Sequence, residues 1–126
     1  MKSLAEHIRI QTISEYLPDH SQLEQSRFAF AYTITISNLC TMAARLLTRH
    51  WVITDANGQV QEVHGKGVIG EQPLIQPKRF FRYTSGTVLP TPVGTMQGTY
   101  EMITEAGEMF EVVIPTFRLA IPELVH

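Results

Sequence analysis

Gly65-Lys66-Gly67-Val68-Ile69-Gly70 carries glycines at the G-x-G-x-x-G spacing of a dinucleotide-binding turn. That chemistry needs a strand, a tight turn and a helix whose N-terminus faces a pyrophosphate. Pro73 and Pro77 follow too closely for such a helix, because proline lacks an amide donor and clashes with the turn before it. The Gly-Lys-Ser or Gly-Lys-Thr of a phosphate-binding loop is also missing from the sequence. Two readings of the string remain. Backbone N–H groups along Gly65, Gly67 and Gly70 can cradle a small anion, pyrophosphate or nucleotide, with Lys66 adding charge. Alternatively, the string is a tightly turned strand end whose dihedrals only glycine tolerates, and a lone motif without its helix favours this second reading.

The other polar residues define little chemistry by spacing. His7, His20, His50, His64 and His126 show none of the i, i+4 or H-x-H spacings of common metal clusters, although His64 neighbours Glu62 and has Glu71 nearby in sequence. The expectation is therefore no metal site. Ser85 is not in a G-x-S-x-G elbow, Cys40 reads as a buried inert thiol, and no carboxylate pair stands out for acid–base work. No catalytic residue, no enzymatic activity and no cofactor are predicted. Arg79, Phe80, Phe81, Arg82 and Tyr83 interleave arginine with aromatic rings. Such a mixture suits a protein-binding surface, with Arg79, Phe80 and Arg82 as the candidate contacts. Strict alternation turns Phe81 and Tyr83 inward and Arg82 outward, and it puts the two adjacent phenylalanines on opposite faces.

The elements that must position these residues read as short strands separated by turns. Candidates are His7 to Tyr16, Arg27 to Asn38, Ala44 to Thr54, Gln59 to His64, Arg79 to Thr84, Thr95 to Thr104 and Glu108 to Phe117, with a short last piece within Leu119 to Val125. Pro18 to Gln25 reads as a loop. In Arg27 to Asn38, Phe28, Phe30, Tyr32, Ile34 and Ile36 share one face, which must be buried against a second layer. A helix over Thr41 to Leu47 is the alternative to the start of the third strand. Asn57-Gly58 and Glu105-Ala106-Gly107 are hairpin signals. Pro115 should interrupt the last long strand or place it at an edge.

The chain has 126 residues, 44% of them apolar, and a formal net charge of -2. Those values fit one globular domain over residues 1–126 and make no electrostatic case for nucleic acid. A single cysteine excludes an internal disulfide, which with the lack of a signal-peptide pattern points to the cytoplasm. No apolar run reaches membrane-spanning length, so any membrane role is indirect.

Four segments carry a resemblance over about Ile8 to Pro122: FAYTITISN, RHWVITDANGQVQEVHGKGVIGEQPLIQP, FRYTSGTVLPTPVGTMQGTYEM and IPTFRLAIP. Together they resemble the ApaG family, also called CorD. The resemblance implies an all-β, immunoglobulin-like or fibronectin type III-like antiparallel β-sandwich of seven to eight strands. It also implies a bacterial protein associated with cobalt resistance and magnesium efflux, and a domain that elsewhere looks like an interaction module. The expected function is a non-enzymatic module acting through an unidentified protein partner, with a homodimer through exposed sheet edges as a further expectation. A small-anion or nucleotide binder using Gly65 to Gly70 is the alternative.

Overall fold

The computed structural model describes residues 3–122. Its strands are β1 (Ile8–Tyr16), β2 (Phe28–Asn38), β3 (Ala44–Asp55), β4 (Val60–Lys66), β5 (Leu74–Ile75), β6 (Phe80–Leu89), β7 (Val93–Thr104) and β8 (Met109–Ala120). All named pairings are antiparallel. One sheet has the order β1-β2-β6, and the other runs β4-β3-β7-β8 with β5 also pairing to β3. The architecture is the expected all-β sandwich. Pro18 to Gln25, read as a loop, holds two short 3-10 turns, and Thr41 to Leu47 forms no helix.

The alternation in β2 follows from the period of an extended chain. Phe30, Tyr32, Ile34 and Ile36 are all buried, facing the second sheet. There Tyr32 meets the Trp51 ring edge-on with centroids 5.4 Å apart, and Trp51 meets Tyr100 in the same manner at 6.3 Å. Each such side chain contributes about 1.5–3 kcal/mol when taken from water into this layer.

Two irregularities decide what points inward. In β3 the register shifts between Leu46 and Thr48. This bulge accommodates one extra residue, so Ala44 and Leu46 are buried before it, and Trp51 and Ile53 after it. A continuous period of two cannot bury both sets. In the β7–β8 pairing the register shifts between Met96 and Gly98, opposite Phe117 and Ile114. Pro115 sits within that shift on an edge strand, where a missing N–H breaks no regular ladder.

The turns also differ in detail from the sequence pattern. At Asn57-Gly58 only the glycine has positive φ, and the Asp55 carboxylate accepts from the backbone N–H groups of Asn57 (2.8 Å) and Gln59 (3.0 Å). This is a longer loop than the two-residue hairpin that Asn-Gly favours. Strand β6 runs on to Leu89 because small residues let it keep its register with β2, with Gly86 opposite Ala31. The short β5 has no sequence signal of its own. Of the last predicted segment, Leu119 and Ala120 close β8, and Glu123 to Val125 lie outside the described residues.

Candidate functional site

The glycine string forms a turn at the end of β4, and no helix follows it. Val68 and Glu71 exchange backbone hydrogen bonds of 2.8 and 2.9 Å. Ile69 (φ 42°) and Gly70 (φ 79°) between them both have positive φ, which is the geometry of a two-residue primed turn. The Gly67 amide donates to the Leu47 carbonyl at 2.8 Å. The amides of Gly67, Val68 and Glu71 are thus committed to backbone carbonyls and do not converge on an anion. Gly67 also has positive φ, and a Cβ there would run into the Glu71 carbonyl. Lys66 is exposed.

Gly65 does something different. It lies opposite Arg49 in the β3–β4 register, and a Cβ on it would stand 2.5–2.7 Å from the Arg49 guanidinium atoms. The bare backbone lets the guanidinium lie flat and donate to the Gly67 carbonyl at 2.8 Å and the Lys66 carbonyl at 3.3 Å. Arg49 shares its inward parity with Trp51 and Ile53. It is half-buried, and among the described residues no carboxylate pairs with it.

Arg49 opens onto a cleft of about 340 Å³ between the two sheets, where β4 and β6 leave the sandwich open. Gln61 and Val63 from β4, Tyr83, Ser85, Gly86 and Thr87 from β6 and the turn residues Val68 and Ile69 form its walls, with Trp51 and Tyr32 behind. The glycine turn and Gly86 of β6, far apart in sequence, are therefore brought to one surface. Trp51 is 2% exposed, and among the described residues its indole N–H has no hydrogen-bond partner. Beside it the Tyr83 and Tyr100 hydroxyls bond to each other. Burial pushes both phenols well above the ordinary tyrosine range, because removal from water penalises the phenolate. Sequence spacing did not single out Arg49 and Trp51. The available signal was a lone cation on the same strand face as Trp51 and Ile53.

The arginine–aromatic segment is placed as alternation predicts. Tyr83 is buried and Phe81 half-buried. Phe80 is 58% exposed, with the Arg82 guanidinium 5.0 Å above its ring. Arg82 also donates through Nε to the Thr35 hydroxyl at 2.9 Å. Arg79 is exposed, and its carbonyl accepts from the Asn38 amide at 2.9 Å. Among the described residues, β6 ends its sheet and is hydrogen-bonded along one side only.

Spacing hid one cluster of potential metal ligands. Register places His50 opposite His64, with rings stacked at 4.1 Å and 8°. His50 Nε2 lies 2.8 Å from Glu62 Oε1. The ligand atoms of these three residues lie within 4.8 Å of one another, and such a set suits a borderline divalent ion better than magnesium. Stacked parallel rings direct their lone pairs alongside each other, so they would have to turn before sharing an ion. Cys40 is buried, and desolvation raises its thiol pKa, as expected of an inert thiol.

Fold and cleft define a small all-β sandwich with a half-open interior edge. The ApaG domain family matches residues 18–104. Protein ApaG of Shewanella sp. strain MR-4 is 52% identical over 126 residues, covering 100% of both chains. Protein ApaG of Azoarcus sp. strain BH72 is 53% identical over 125 residues, covering 99% of this chain and 98% of the relative. Among solved structures, a Northeast Structural Genomics Consortium X-ray target superimposes with a TM-score of 0.93 at 52% identity, over 98% of this chain and 94% of the other. A Bordetella pertussis crystal structure described as ApaA gives 0.89 at 47% identity, over 91% and 94%. The chain belongs to the ApaG family. Among the described residues no helix is long and apolar enough to cross a membrane.

Proposed function

We propose that this ApaG-family chain is a non-catalytic protein-interaction module whose partner docks on β6. The observation that carries this reading is the free side of β6 beside Phe80, an aromatic ring more than half exposed and capped by Arg82. An unpaired strand edge offers backbone hydrogen bonds to an incoming extended segment. Exposed Arg and Phe supply rigid contact area. Arg79 extends the same surface. The association with cobalt resistance and magnesium efflux that the family resemblance implies then operates through the bound partner in the cytoplasm.

A photo-crosslinker introduced at Phe80 in the full chain tests this in a bacterial lysate. The expected result is a specific crosslinked protein, lost when Arg79 and Arg82 are both replaced by Ser. Absence of any specific product, or an identical product from the double variant, overturns the reading. A product of twice the chain mass identifies a second copy as the occupant.

A further inference from the structure

We infer that the cleft between β4 and β6 binds the oxyanion headgroup of a small molecule, with Arg49 as its charged ligand and the Trp51 indole N–H as a second donor. Two unmet requirements point there. The half-buried Arg49 guanidinium uses Nη1 on two carbonyls, and no carboxylate pairs with it among the described residues. A charge withdrawn from water ordinarily has a counter-charge. Trp51 lines the same cleft, and its fully buried N–H has no acceptor among the described residues, although buried donors are almost always satisfied. One oxyanion answers both, because it supplies negative charge to the guanidinium and lone pairs to the indole.

The walls narrow the ligand class further. Ser85 and Thr87 add hydroxyls to the lining, while Val63, Val68 and Ile69 add apolar surface. About 340 Å³ is at the small end of ligand pockets. The site therefore suits a compact apolar or aromatic body bearing one phosphate or carboxylate. The glycine string contributes indirectly: Gly65 clears the space for Arg49, and the carbonyls of Lys66 and Gly67 hold it in place.

Trp51 is the chain's only tryptophan, so its indole N–H gives one unambiguous NMR signal. Phenyl phosphate and benzoate are titrated against the full chain at constant ionic strength, with chloride as the control. A saturable shift of the indole signal is expected with at least one probe, and the tighter probe identifies the headgroup. Arg49→Gln should weaken that binding about tenfold or more, the worth of a charge-assisted hydrogen bond. Gly65→Ala displaces the same guanidinium without removing it and should weaken binding in the same direction, which guards against a misfolded Arg49 variant. No saturable shift with either probe, or a shift undiminished in both folded variants, overturns the inference. Partner capture at Phe80 does not enter this readout, so the two readings can fail separately.

Discussion

The Arg49 guanidinium lies across Gly65, its partner in the β3–β4 register, and is held there by the Gly67 carbonyl at 2.8 Å. A cation on the inner face of a sandwich is thus accommodated by the missing side chain on the neighbouring strand. The glycine string has a structural purpose at each position, and the three purposes are energetically distinct.

A graded response to alanine follows. Gly65→Ala meets only the end of a flexible arginine and should cost less than about 1 kcal/mol. Gly70→Ala keeps open space but places Cβ at φ 79°, costing about 1–2 kcal/mol. Gly67→Ala combines positive φ with a collision against the Glu71 backbone and should cost about 3 kcal/mol or more. Urea denaturation of the three variants gives this order, and equal effects would contradict it.

How far the sequence reveals this arrangement depends on how local each signal is. The β2 face from Phe30 to Ile36 is legible because its bulky residues alternate with small ones and are all buried, although Phe28 at the strand start is only half-buried, and Pro73 and Pro77 exclude a nucleotide-binding helix by local sterics. That Arg49 turns inward with Trp51 and Ile53 while Arg45, of the same parity, turns outward depends on the bulge at Leu47, a two-strand property that no single-strand pattern contains. The meeting of His50 with His64 and Glu62 likewise needs the hairpin register. The outward placement of Phe80 and Arg82 follows from alternation alone, whereas Arg79 shares the parity of Phe81 and Tyr83 and is exposed because it precedes β6. The cleft was not readable, since it exists only where β4 and β6 fail to meet across the layers.

The Tyr83–Tyr100 hydroxyl pair should show strong coupling. Tyr83→Phe or Tyr100→Phe leaves the other buried hydroxyl without its partner, at about 1–3 kcal/mol. Removing both hydroxyls leaves nothing unsatisfied between them. The double variant should therefore lose less than the sum of the single losses, by about 1 kcal/mol. Additive losses in a denaturation cycle would show that the pair has no mutual energy.

The same pair predicts alkaline sensitivity. Burial raises both phenols above the ordinary value of 10.0, so the unfolded chain releases these protons first as pH rises. Their stabilising contribution is complete below the unfolded pKa of 10.0 and declines progressively above it. Phenolate absorbance should show two tyrosines ionising only with loss of structure. Tyr83→Phe should reduce the slope of stability against pH in that range, and a slope unchanged in this variant would remove Tyr83 as its source.

Asn38 supplies the last prediction. Its side chain is fully buried at the end of β2. Nδ2 donates to the carbonyls of Met42 (3.0 Å) and Ile75 (2.8 Å), and Oδ1 accepts from the Cys40 amide at 2.8 Å. One amide therefore ties the β2–β3 connection to β5. Asn38→Ala strands three backbone groups and should cost about 3 kcal/mol or more. Asn38→Asp keeps the shape but turns a carboxylate oxygen toward two carbonyls, and only its protonated form can donate. The Asp variant should therefore be at least as unstable as Asn38→Ala at neutral pH and recover part of that loss relative to wild type near about pH 4, where carboxylates take up protons. A penalty for Asn38→Asp that is the same at both pH values would mean that donation to Met42 and Ile75 is not what this residue contributes.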